Sequence, residues 1–348
     1  MLENKYRGMY NHEWTLPSQS NIKNLVTDRH ARFIPPLSSF IFPFALLIAI
    51  LAVSTASIFI KKAQDDAPSL VIAAYRLTFA SLALAPAAWI RHRHELATLR
   101  RDILLLSLLS GAFLAVHFAT WISSLEFTSV ASSVVLVCTS PLWVALLSPL
   151  LLHERLSKAV LAGAFLALIG SIVIGFGDSC TWQNILQGQN LLACPSLFEF
   201  VKGKAFLGNC LALAGAWAVT GYLMIGRRLR AQMSLIPYIS LVYGMAAIIL
   251  IVIMFAAGKT PFGYKPITYL WMLLLALVPQ LIGHSTYNWA LRYLPAAFIA
   301  VATLGEPIGA TILAYYILKE SPTSLKILGG LLVLVGIIIA SKHGWNKQ

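Results

Sequence analysis

Apolar residues collect into ten long runs separated by short polar segments: Ile41 to Ile60, Ser69 to Ile90, Ile103 to Ser123, Val130 to Leu151, Ala159 to Phe176, Ala205 to Ile225, Leu235 to Ala257, Ile267 to Leu291, Ala297 to Leu318 and Leu325 to Ala340. A helix needs roughly 20 residues to cross a hydrocarbon layer of about 30 Å, and each run has that scale on a window of about 19 residues. The pattern predicts an all-α integral membrane protein with ten transmembrane helices.

Composition sharpens this. Of the 348 residues, 58% are hydrophobic and 11% charged, with a mean hydropathy of +0.77. A soluble domain carries about 25% charged residues, so a soluble enzyme is excluded. The net charge of +13 does not mark a nucleic-acid binder, because the basic residues sit in short clusters between apolar runs. They read as topology signals. Arg91, Arg93, Arg100 and Arg101 follow the second run, and Arg227, Arg228 and Arg230 follow the sixth. With both termini in the cytoplasm, most Lys and Arg fall on the inner side of a plasma membrane; Lys61 and Lys62 oppose this, although Asp65 and Asp66 follow them. The first forty residues hold no apolar stretch ahead of a cleavage site, so no cleavable signal peptide is expected and the first helix serves as its own insertion signal. Cys138 and Cys210 lie in apolar runs, whereas Cys180 and Cys194 share the polar outer loop, where an oxidising compartment permits a disulfide. No zinc spacing or phosphate-binding Gly-x4-Gly-Lys-Ser/Thr loop occurs, so neither a metal nor another cofactor is expected.

Shifting the chain by 166 residues superposes Thr120 on Thr286, Trp121 on Tyr287, Pro141 on Pro307, Glu154 on Glu320, Gly163 on Gly329 and Gly170 on Gly336 without a gap, and places Lys61 and Lys62 on Arg227 and Arg228. This is a duplicated five-helix unit. Five crossings is an odd number, so the second unit enters the membrane from the opposite side, giving inverted repeats of the kind used for alternating access. The expected organisation is a cytoplasmic tail (1–40), a first repeat (41–177), an outer loop (178–203), a second repeat (204–341) and a short tail (342–348).

The segment from Pro141 through His153-Glu154-Arg155-Leu156 to Gly163 and Gly170, and its partner from Glu306-Pro307 through Lys319-Glu320-Ser321-Pro322 to Gly329-Gly330 and Gly336, resembles the paired EamA-type signature of the drug/metabolite transporter superfamily. The stretch Gly283-His284 to Asn288-Trp289 and Arg292 is similar to the eighth helix of bacterial members. The resemblance implies a ten-helix exporter or exchanger of metabolites. Its first four helices in each half would line a central cavity, with the fifth and tenth at the periphery. A membrane-embedded lipid-modifying transferase and a facilitative channel are the alternatives. The transferase lacks grouped acids or histidines and the channel lacks a polar ring. The partners expected are a small-molecule substrate and the lipid bilayer, with a homodimer left open.

Glu306 lies about ten residues into the ninth run, roughly 15 Å deep. An ionisable group at that depth needs a cavity or a partner. It either carries a coupling proton, binds a substrate amine, or is a structural carboxylate. Pro307 frees a carbonyl one turn earlier, near Thr303, and Pro141 and Pro307 are the expected helix breaks. Arg76 is the cation placed within a run: its stem snorkels outward, or it pairs with Glu306 or with a substrate anion. His117 and His284 occupy nearly equivalent places on the third and eighth helices, as interhelical bonds or as a proton relay. Trp121, Trp217, Tyr287 and Asn288 are either cavity walls with one polar handle or interfacial residues, Trp217 being the expected wall. Glu154 and Glu320 are expected to cap or pair locally, and the two glycine pairs to allow close helix packing.

Overall fold

The computed structural model describes residues 38–152, 158–179, 196–294, 299 and 302–345. The chain divides between Pro43 and Phe44 into two compact units. The first is described only at residues 38–43, which open helix α1; all the other described residues belong to the second.

Among the described residues the regular structure is helical. The first half comprises α1 (Ser38–Ser54), α2 (Ala56–Gln64), α3 (Ser69–Ala97), α4 (Arg101–Phe127), α5 (Val130–Val137), α6 (Ser140–Leu152) and α7 (Lys158–Ser179). After a short α8 (Leu197–Lys202) come α9 (Lys204–Arg230), α10 (Leu235–Ala256) and α11 (Pro266–Leu275). A π-helical stretch, Ala276–His284, joins α11 to α12 (Ser285–Ala290), and α13 (Gly305–Leu313) leads through a second such stretch, Ala314–Leu318, towards α14 (Ser324–Trp345).

Six stretches among the described residues are long and apolar enough to cross a membrane: Phe42–Gln64, Ser69–Ala97, Arg101–Phe127, Lys204–Arg230, Leu235–Ala256 and Pro266–Ala290. They coincide with the first, second, third, sixth, seventh and eighth runs. Val130–Val144, Phe165–Gly177 and Ser324–Gly336 are shorter apolar helices in the places of the fourth, fifth and tenth. Trp89, Leu105, Phe165 and Val252 project outward, an apolar exterior suited to lipid.

The breaks have local causes. Between α1 and α2 the hydroxyls of Ser54 and Thr55 donate to the carbonyls of Ile50 and Ala52, the back-bonding that bends helices. The fourth run breaks at Cys138 and Thr139, just ahead of Pro141, and α13 begins two residues ahead of Pro307. The Thr303 carbonyl, which Pro307 cannot bond, is not left open as the sequence suggests: the Glu306 N–H donates to it at 2.9 Å. Pro279 likewise removes a donor within the π-helical stretch.

Helices α7 and α14, equivalent under the repeat, pack through their glycines. A methyl group at Gly170 would lie 2.6 Å from the Gly329 carbonyl oxygen, and one at Gly336 would lie 2.6 Å from that of Gly163. The two contacts exchange under the 166-residue shift. Since the numbering falls along one helix as it rises along the other, the two helices run antiparallel.

Four of the scarce carboxylates hold helix N-termini of other segments. Glu126 accepts from the Ser69 N–H at 3.0 Å, Glu95 from Ser234 at 2.8 Å, Glu320 from Val130 at 2.9 Å, and Asp66 from Lys265 at 2.7 Å. Acids are favoured there by the helix dipole. Glu320 also lies 3.9 Å from Lys61, so it bridges to the other half rather than acting locally. Glu154 lies outside the described residues. Asp66, in the loop after α2, takes a second bond from the Thr268 hydroxyl at 2.8 Å, and these donors hold its carboxyl below the usual range. A lowered folded pKa means a stabilising contact present above the unfolded value of about 3.9 and lost as pH falls through the folded value. The acid limb of a thermal-stability profile is therefore expected to flatten below about pH 4 in Asp66→Asn. An unaltered limb would show that Asp66 does not report there.

Candidate functional site

A cavity of about 60 Å³ lies between helices of the two halves, lined by His117 and Trp121 from α4, Cys138 and Ser140 at the break of the fourth run, Tyr222 from α9, His284, Tyr287 and Asn288 from the eighth run, and Thr303 and Glu306 from the ninth. Contributions thus come from the third, fourth, sixth, eighth and ninth apolar runs. The first, second and seventh, which the family resemblance would include, do not line it.

Helical spacing puts His117 and Trp121 one turn apart, their rings stacked at 5.8 Å and 11°. His117 Nδ1 lies 2.9 Å from the Gly215 carbonyl; a carbonyl only accepts, so this nitrogen carries the proton. His284 closes the π-helical stretch, edge-on to Phe118 at 5.5 Å and to Tyr287 at 6.3 Å. Both histidines reach the cavity.

Asn288 is oriented by its amide nitrogen, which donates to the Tyr222 hydroxyl and, at 2.8 Å, to the His284 carbonyl. Its Oδ1 is buried with no hydrogen-bond partner among the described residues, as are Trp121 Nε1 and the Tyr287 hydroxyl. Glu306 is the second residue of α13, and the Cys138 thiol donates to its Oε2 at 3.9 Å. Beside its two imidazoles the cavity therefore offers one carboxylate and, unpaired among the described residues, one indole donor, one amide acceptor and one of its two phenols, set among aromatic rings.

Two residues fall elsewhere than expected. Trp217 is 57% exposed and packs edge-on against Trp143 at 5.2 Å, because five residues from Tyr222 is about 140° around the helix; it faces away from the cavity. Arg76 does not snorkel. It is fully buried, its Nε donates to Gln280 Oε1 at 2.8 Å, and its guanidinium carbon lies 3.9 Å over the Phe118 ring. Among the described residues no carboxylate comes within 4.0 Å of it, so the ion pair with Glu306, one of the alternatives for it, is absent. Cys180 and Cys194 lie outside the described residues; Cys138 and Cys210 are free.

Sequence reasoning passed over Tyr222, Gln280 and the structural use of Arg230. Gln280 carries the same signal as Asn288, an amide within an apolar run. Arg230 reads as a topology charge, yet it is 1% exposed and its guanidinium donates to the Asn288 carbonyl at 3.0 Å and to the Met233 carbonyl. The repeat carries its counterpart: Gln64 superposes on Arg230 and Ile122 on Asn288, and the Gln64 amide donates to the Ile122 carbonyl at 2.9 Å. Arg230→Met is expected to cost about 1–3 kcal/mol by leaving these buried carbonyls unpaired, visible as a lower unfolding temperature. An unshifted temperature would remove Arg230 as a brace.

The EamA-like transporter family matches the chain twice, over residues 41–176 and 206–342. An uncharacterized transporter from Archaeoglobus fulgidus is 25% identical over 296 residues, 85% of this chain and 94% of the relative. A probable terminal-alkyne amino-acid exporter from Streptantibioticus cattleyicolor is 23% identical over 316 residues, 88% and 95% of the two chains. A crystal structure of a protein 17% identical to this one superposes with a TM-score of 0.59, covering 87% of this chain and 97% of that one, which speaks to the fold. With both halves matched, the chain is an integral membrane protein that belongs to the EamA-like transporter family.

Proposed function

We propose that the protein is a secondary transporter, an exporter or exchanger of a small metabolite such as an amino acid, working by alternating access around the cavity that holds Glu306. Ten spans in two inverted five-helix repeats frame it, in the plasma membrane with both termini cytoplasmic. The observation that carries this reading is the set of buried polar atoms without partners among the described residues, Trp121 Nε1, the Tyr287 hydroxyl and Asn288 Oδ1, around one cavity with Glu306. Buried polar groups are ordinarily paired, and a ligand bearing both donors and acceptors would complete these. A substrate ammonium would bridge Glu306 and Asn288 Oδ1, while its carboxylate would accept from Trp121 Nε1. Glu306 would alternately hold a proton, which makes coupling to a pH gradient part of the same reading. The amino-acid exporter among the relatives supports the substrate class.

The test is an uptake screen of amino acids in proteoliposomes with and without an imposed pH gradient. Saturable, gradient-dependent accumulation of at least one is expected. Flux that rises linearly with concentration would favour a channel, and product formation without translocation a transferase.

A further inference from the structure

Arg76 is held in an unusual way for a cation within an apolar bundle. It is fully buried, pinned by Gln280 on one side and by the face of Phe118 on the other. Both its terminal nitrogens, Nη1 and Nη2, have no partner among the described residues. It is not on the cavity lining, yet its guanidinium carbon is 5.8 Å from the centroid of Trp121, whose ring is. An arginine remains protonated in proteins, and a charge left unpaired at low dielectric is felt over longer distances than one in water. The ionisable groups within reach of its charge are Glu306, His117 and His284, which line the cavity, and Tyr243.

From this arrangement we infer that Arg76 is a specificity-determining residue that touches no ligand: a fixed positive charge one ring behind the cavity wall, which balances Glu306 and biases the cavity against solutes of net positive charge. With Glu306 ionised the two charges sum to zero, so a zwitterion enters without net charging. With Glu306 protonated the site is net positive and favours an anion. An organic cation is disfavoured in both states. The inference deepens the proposed function by setting the charge class of the substrate.

The potential can be measured without a substrate. Cys138 lines the cavity beside Glu306, so a variant retaining it as the sole cysteine can be modified with 2-aminoethyl and 2-sulfonatoethyl methanethiosulfonate, and the cation-to-anion rate ratio recorded. A unit charge about 10 Å away at an effective dielectric of about 20 alters either rate roughly tenfold. Arg76→Gln should therefore raise the ratio about 10- to 100-fold, Arg76→Lys should leave it within about twofold, and Glu306→Gln should lower it. Should Arg76→Gln not fold, Gln280→Glu sets a neutralising carboxylate on the guanidinium and should raise the ratio in the same direction. A ratio unmoved in whichever of these two folds would overturn the assignment. A shifted ratio in a protein that fails every uptake assay would leave Arg76 in this role and count against the transport reading instead.

Discussion

Glu306→Gln is expected to abolish gradient-driven accumulation while leaving a folded, monodisperse protein. The substitution keeps the volume and one carbonyl oxygen, but removes both the charge and the site that exchanges a proton. The packing around the residue requires little of it: the side chain is only partly buried, and the bond it accepts from the Cys138 thiol is a long one. The helix start at α13 rests on the Glu306 backbone N–H, which donates to Thr303 and survives the change. A hydrogen bond to a charged group contributes about 1.5–3 kcal/mol, so ligand affinity should fall about 10- to 100-fold. Exchange without a gradient is expected to persist at high ligand concentration. Gradient-driven uptake equal to that of the parent protein would remove Glu306 from the mechanism.

Gly329→Leu is expected to have the largest effect on stability. A side chain there would meet the Gly170 carbonyl oxygen at 2.7 Å and the Ile174 nitrogen at 2.9 Å, and neither is a flexible group that can turn away. Close approach of small residues is what holds helices together where lipid competes equally for apolar contact. Overpacking such a seam costs about 3 kcal/mol, roughly 4 °C in the unfolding temperature for a protein of this size. Gly244→Ala is the control, since a methyl group there meets nothing within 4 Å; its unfolding temperature should not fall. Equal behaviour of the two variants would mean that the glycine seam does not hold α7 against α14.

Most of the architecture was legible in the sequence because hydrocarbon imposes one rule, that backbone groups bond within their own helix. Long apolar runs therefore map directly onto helices, as six of the ten do at full length. The repeat was legible for the same reason that its glycines are: Gly163, Gly170, Gly329 and Gly336 meet reciprocally in space, so each is constrained in both halves. What could not be read is which way a side chain points. Trp217 and Tyr222 are equally apolar neighbours on α9, and only the packing of α9 against α4 turns one outward and the other into the cavity. Arg76 was legible as an exceptional charge, but its partner was not. Glu306 is the chemically obvious choice, whereas the bond goes to Gln280 in the π-helical stretch, whose register no periodic pattern reveals.

Alternating access is tested most directly at Cys138, which lies in the cavity wall beside Glu306. With it as the sole cysteine in oriented vesicles, modification by a membrane-impermeant thiol reagent can be followed from each face in turn. Labelling is expected from both faces, with an added substrate altering the two rates in opposite directions and no ion conductance accompanying either. Labelling from one face under every condition, or from both faces together with a steady conductance, would contradict a cavity that opens to one side at a time.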